Sequence, residues 1–341
     1  MARREEGAVT MKRFIIINFT LAVIIVLTLL VRSPMRDSEH IQEGMIKTNG
    51  VELYTKIVGR GEPVVILHGG PGLDHIHMLP FQILADQCQV IFYDQRAAGN
   101  STGAADAASI TVANFVEDLE GLRENLNLDK IHLLGHSWGA SLALHYAVKY
   151  PWNLASLILL SPSAGSQFND QFFRNIQSKT SPQDREILKK ISESEEFRNS
   201  GTEAIQKYYR ISIKPFFYDP AKADLLDLNF GKNTYKNQSK VASLLFQNLG
   251  TYDLHPRLSV INCPVLIIHG DSDPLPVEAA YTVHKSIAES RIIILKNSGH
   301  FTFIESPQEV FSALRSFLRD DESVQSSIPP DIERRLNAVK Q

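Results

Sequence analysis

The sequence predicts an α/β protein built on a mostly parallel, doubly wound sheet, and three observations carry that expectation. Short runs of Val, Ile and Leu recur without polar alternation, as strands covered on both faces require. Helical patterns fall between those runs, and strand–helix alternation supplies the crossovers that a parallel sheet needs. The 341 residues are 43% hydrophobic and 21% charged, which is enough for one large core or two ordinary ones.

Taken from the N-terminus, the first feature is Phe14–Val31, an uninterrupted stretch without charge. As a helix rising about 1.5 Å per residue it approaches the thickness of a bilayer's hydrocarbon layer. Arg3, Arg4, Lys12 and Arg13 precede it, while Arg32 and Arg36 follow in company with Asp37 and Glu39. That asymmetry predicts a single-pass signal-anchor over 1–32, with a cytoplasmic stub and the remainder outside the cytoplasm. The alternatives are a cleaved signal peptide, which would leave a secreted protein, and a buried core helix. Residues 33–47 read as a polar linker.

From Val51 the strand candidates are 51–58, 63–69, 89–94, 130–136, 154–161, 264–270 and 291–296, with helical patterns over 111–126, 139–150, 276–288 and 307–319. The alternation breaks at 165–252, a charged and aromatic helical stretch that reads as an insertion between two core strands. The core is therefore 48–164 and 253–320, followed by a polar, proline-interrupted tail over 321–341 that is either disordered or a loosely docked helix. A net charge of −3 offers no broad basic surface, so nucleic acid is not an expected partner. Cys88 and Cys263 make no disulfide framework and read as small buried hydrophobes.

One turn carries chemistry. Gly135-His136-Ser137-Trp138-Gly139 matches G-x-S-x-G between a strand and a helix, where a nucleophilic serine must project from a sharp turn and glycines relieve backbone crowding. A serine hydroxyl needs a base, itself oriented by an acid. In this architecture the chain order is serine, acid, histidine. Among the histidines only His284 and His300 follow every plausible acid; His284 sits within a helical pattern, while His300 occupies a glycine loop after the last strand. Asp271 and Asp273 compete as the acid. Asp273 has room to swing under the histidine, whereas Asp271 suits holding the turn. The oxyanion of acyl transfer needs two backbone N–H donors, expected from Trp138 and from Gly70 in the glycine-rich 68–72 loop. His68 is expected to brace that loop.

Together "HGGPG" (68–72), "DQRAAGNS" (94–101), "GHSWG" (135–139), "GDSD" (270–273) and "SGHF" (298–301) resemble the α/β-hydrolase fold, and within it the proline iminopeptidase-like serine hydrolases. The resemblance spans roughly residues 48–320. It implies that 165–252 is a helical cap over the active site and that the protein is a serine hydrolase cleaving an amide or ester, most like an aminopeptidase releasing N-terminal residues from short peptides. Two features depart from the family pattern. Ala97 stands where the family commonly has glycine, and the 165–252 segment lacks the tryptophan that accompanies amine-binding cap glutamates; its own Glu193, Glu195, Glu196 and Glu203 read as a solvated helix face. A carboxylesterase or lactonase acting on small acyl substrates is the first alternative, and a non-catalytic, membrane-tethered binding protein is one of another class. No metal or organic cofactor is expected. The expected partners are a small-molecule or short-peptide substrate and, through the N-terminal helix, a membrane.

Overall fold

Hydrogen bonding gathers the apolar runs into one sheet. The computed structural model describes residues 40–338 apart from 200, 229–231 and 322. Its strands are β1 (Ile41–Thr48), β2 (Val51–Gly59), β3 (Pro63–Leu67), β4 (Gln89–Tyr93), β5 (Ile131–His136), β6 (Leu154–Leu160), β7 (Val265–Gly270) and β8 (Ser290–Leu295). They form an 8-stranded sheet in the order β1-β2-β4-β3-β5-β6-β7-β8. The β1–β2 and β2–β4 pairs are antiparallel and every later pair is parallel. A parallel set aligns its strand ends, so the loops after β3, β5, β7 and β8 emerge along one edge.

Alternation along each central strand feeds two cores. On β6, Leu157 and Leu159 join one hydrophobic cluster while Ile158 and Leu160 join the other, and all four are fully buried. This is the two-residue period of a strand with both faces covered. The first face is packed by α1 (Val112–Asn125) and α2 (Trp138–Lys149). Thr111 caps α1 by accepting the Asn114 N–H at 3.2 Å, which satisfies one of the orphan donors at that helix end.

Between β6 and β7 the chain makes α3 (Asn169–Lys179), α4 (Pro182–Ser192), α5 (Glu195–Arg198), α6 (Thr202–Ser212) and α7 (Lys232–Leu249). After β7 come α8 (Val277–Ser286), then, beyond β8, α9 (Thr302–Glu305), α10 (Pro307–Leu318) and α11 (Pro330–Ala338). The tail docks. Ser327 exchanges backbone hydrogen bonds with Ile292 and Ile294, each 2.8 Å, so the chain runs alongside β8. Ile332 and Leu336 of α11 are then buried in the first core.

Residues 41–48, of which 41–47 read as linker, pair with β2 along their whole length from Ile41↔Val58 to Thr48↔Val51. The hairpin turns at Asn49 and Gly50, with φ of 44° and 76°, the left-handed pair favoured between right-twisted strands.

The membrane anchor requires correction. Phe14–Val31 lies outside the described residues, and among those described no helix is long and apolar enough to cross a membrane. The longest, α7, has 18 residues but spreads Lys232, Lys236, Lys240 and several amides along its length, a composition that a bilayer core does not accept. The single-pass topology, the membrane partner and the extracytoplasmic placement are dropped accordingly.

Candidate active site

The turn after β5 is strained at one residue. Ser137 has φ 55° and ψ −119°, outside the regions that side chains ordinarily adopt, a conformation that costs of order 1–3 kcal/mol. Its N–H donates to the Leu160 carbonyl at 2.9 Å, extending the β5–β6 ladder by one residue. Its carbonyl then accepts from Ala140 and Ser141 N–H, so helix α2 begins at once. The close approach explains Gly139: a Cβ there would lie 2.2 Å from the Leu67 carbonyl oxygen on β3. Trp138 opens α2, and its backbone N–H is among the donors that no helical carbonyl can reach.

Asp273 and His300 follow β7 and β8 and meet. His300 Nδ1 donates to Asp273 Oδ1 at 2.9 Å and Oδ2 at 2.8 Å, with both residues buried. The Leu275 N–H also donates to Asp273 Oδ1, at 2.8 Å. Burial opposes the charge on Asp273, but the imidazoles of His300 and His269 and hydrogen bonds from His300 and Ser161 outweigh it and hold the carboxyl down at about 2. An ionised Asp273 keeps the proton on Nδ1, which leaves the Nε2 lone pair facing away from the acid. Asp271, the competing carboxylate, accepts the Ser272 hydroxyl at 2.9 Å. His284 pairs with Ser290 at 2.8 Å.

The residue before Ser137 bonds to the histidine loop. His136 Nε2 donates to the His300 carbonyl at 3.0 Å, and the two rings lie 4.8 Å apart. Burial pushes His136 down to about 3, so it stays neutral beside His300 and adds no like charge there. The glycine loop after β3 closes against the same turn. A Cβ on Gly69 would stand 3.3 Å from Ser137 Cβ and 2.9 Å from His136 Nδ1, so the bare backbone is what allows the approach. Gly70 follows with φ 59° and accepts the Leu73 N–H at 2.8 Å.

Several residues that sequence reasoning passed over hold this arrangement. Glu305, on α9, is a buried carboxylate that accepts Gly299 N–H at 2.6 Å, Tyr218 N–H at 3.1 Å and Asp219 N–H at 3.0 Å. The His300 N–H donates to the Phe216 carbonyl at 2.7 Å. The histidine loop is thus bonded to the 216–219 segment of the insertion. Phe216 and Phe172 also present rings 5.4 Å and 6.5 Å from the His300 ring. A cavity of about 410 Å³ adjoins Asp273 and is lined by Lys179, Lys214, Phe217, Tyr218 and Asp271 among others. The insertion's Glu193, Glu195, Glu196 and Glu203 are exposed. No local pattern marks Glu305, because its partners lie far away in the chain, whereas Phe216 falls in the aromatic "KPFFYDP" run (214–220), which in the sequence reads as core packing or as the lining of an apolar substrate pocket. Among the described residues no group of three or more His, Cys, Asp or Glu side chains is arranged to hold a metal ion.

The chain belongs to the α/β-hydrolase fold family, whose pattern matches residues 62–307. Within it the chain is proline iminopeptidase-like. A proline iminopeptidase of Saccharolobus solfataricus is 30% identical over 291 residues, covering 82% of this chain and 93% of that one. Another, of Lactobacillus acidophilus, is 31% identical over 297 residues, covering 82% and 98%. In three dimensions the chain is similar to a thermophilic esterase from Thermogutta terrifontis, solved with malate bound, at a TM-score of 0.62 and 23% identity over 83% of this chain and 100% of that one. This protein is a hydrolase, and the reading as a non-catalytic, membrane-tethered binding protein has no support.

Proposed function

We propose that the protein is a serine hydrolase working through an acyl-enzyme, with Ser137 as nucleophile, His300 as base and Asp273 as the acid that orients it. The observation that carries the reading is the buried Asp273–His300 pair, bonded at 2.8 Å and 2.9 Å and tied through His136 to the strained turn at Ser137. His300 Nε2 takes the Ser137 proton as Oγ attacks the substrate carbonyl. The backbone N–H groups of Gly70 and Trp138 receive the negative charge that develops on oxygen, and losing one such donor typically costs about 3 kcal/mol of transition-state stabilisation. His300 then protonates the leaving amine or alcohol. Water, deprotonated by the same imidazole, releases the acid and restores Ser137.

For the substrate, the proline iminopeptidase relatives favour release of an N-terminal aminoacyl group from a short peptide. The helical insertion over 165–252 is the cap that selects it. Hydrolysis of small carboxylic esters is the second reading, and the site's surroundings favour it. The rings of Phe172 and Phe216 stand beside His300, and the insertion's glutamates face solvent. Fluorophosphonate labelling, compared between the wild type and Ser137→Ala, tests the common chemistry: labelling confined to the wild type is expected, and a folded wild type that stays unlabelled overturns it. Turnover of prolyl and alanyl arylamides that vanishes on acylating their amine selects the aminopeptidase. Turnover of short acyl esters with none on the arylamides selects the esterase.

A further inference from the structure

Of the sequence motifs singled out, "DQRAAGNS" has no role in the chemistry above, yet its second residue reaches both sides of the proposed oxyanion hole. Gln95 is buried, 1% exposed. Its Nε2 donates to the His68 carbonyl at 2.9 Å, and its Oε1 accepts the indole N–H of Trp138 at 2.8 Å. The partners fix which end of the amide is which: a carbonyl oxygen only accepts and an indole N–H only donates. The Gln95 backbone N–H adds a third bond, to His68 Nε2 at 3.1 Å. That leaves the ring proton on His68 Nδ1, which donates to the Gly69 carbonyl at 3.1 Å. Burial pushes His68 down to about 4, in keeping with this neutral form.

These bonds converge on the two residues immediately before Gly70 and on the side chain of Trp138, whose N–H groups are the proposed donors. The flanking residues of the motif make Gln95 a firm anchor. Asp94 accepts His75 N–H at 2.9 Å, His75 Nδ1 at 2.7 Å and Asn100 N–H at 2.8 Å. Arg96 grips Asp118 on α1 with two bonds of 2.6 Å. We infer that Gln95 is a positioning residue, a buried amide that holds the glycine loop and the start of α2 at the separation the two oxyanion donors require. Donors placed even half an ångström wide of the developing charge lose much of their effect. The inference rests on the serine hydrolase reading and extends it.

The test uses Gln95→Met, which keeps length and volume while removing both side-chain bonds, and Trp138→Phe, which removes the indole donor but keeps the backbone N–H. Turnover of p-nitrophenyl acetate by the full chain should fall about 10–100-fold in kcat for Gln95→Met, with KM within about threefold. Inhibition by a trifluoromethyl ketone, which binds as the tetrahedral adduct, should weaken by the same factor as kcat/KM. The double variant should be no worse than Gln95→Met alone, because both changes break one linkage. A folded Gln95→Met enzyme with kcat within threefold of wild type overturns the inference, as does a loss of rate without a matching loss of ketone affinity. If Gln95→Met does not fold, Trp138→Phe carries the test: wild-type kcat in that variant overturns it equally. Fluorophosphonate labelling of the wild type separates the two levels. Labelled Ser137 with rates indifferent to residue 95 removes this inference alone, whereas an unlabelled, folded wild type removes the hydrolase mechanism and this inference with it.

Discussion

Replacing Glu305 by alanine would strip three backbone donors of their partner at one stroke. The Gly299 N–H, 2.6 Å from Oε2 and fully buried, has no solvent to turn to, and a charge-assisted bond of that kind is worth about 2 kcal/mol. The Tyr218 and Asp219 N–H groups are half-buried, so water replaces part of what they lose, and about 1 kcal/mol each is reasonable. The expected destabilisation is therefore roughly 4 kcal/mol, read as the change in urea-unfolding free energy at neutral pH. Glu305→Gln keeps two acceptor lone pairs but points an amide at one donor, and should lose about half as much. Catalysis should fall as well, because Gly299 precedes His300 and the freed loop no longer fixes the imidazole: kcat should drop at least tenfold in Glu305→Ala even where the protein remains folded. A loss below about 1 kcal/mol, with unchanged kcat, would refute the claim that this carboxylate binds the histidine loop to the insertion.

Two further outcomes follow from the site. Gly139→Ala would place a methyl 2.2 Å from the Leu67 carbonyl oxygen, a backbone atom with no freedom to rotate away; a destabilisation of about 2–3 kcal/mol is expected in urea unfolding, with fluorophosphonate labelling slowed at least tenfold. Asp273 has its folded carboxyl held at about 2, below its ordinary 3.8, so its charge stabilises the fold above pH 3.8 and that contribution fades as pH falls towards 2. The unfolding free energy of the wild type should exceed that of Asp273→Asn by about 2 kcal/mol at pH 6 and by about half as much near pH 3, fading further towards pH 2; a gap that widens on acidification would contradict the sign.

The parts of the fold written in local patterns were legible. Strands β3 and β5 to β7 are buried on both faces, so each leaves a continuous apolar run. The sharp turn at Ser137 leaves glycines where backbones crowd. Strand β1 is the opposite case. It is an edge strand, mostly exposed, and its side chains carry no apolar run, although Asn49-Gly50 between two β-forming stretches was a usable hairpin signal. Asp273 could be preferred to Asp271 only by its freedom to reach a histidine, and it is the one that meets Nδ1. The supports were out of sight for a different reason. Gln95 reaches residues 27 and 43 positions away, and Glu305 reaches residues 86 and 87 positions away, so no periodicity joins them. Buried polar side chains with backbone partners are set by tertiary geometry, which a one-dimensional pattern does not encode.

The tail's course beside β8 has a practical consequence for fragments of this protein. Ser327 satisfies hydrogen-bonding groups on the outermost parallel strand, and α11 lays Ile332 and Leu336 over the adjoining core. Cutting the chain at Arg319, where the last core helix of the sequence pattern ends, would lay bare a β-rich border of Ile292, Ile293 and Ile294 that invites stacking with other molecules. A shortened version would then clump for reasons unrelated to the centre of reaction, and its inactivity would be misread as a failure of chemistry.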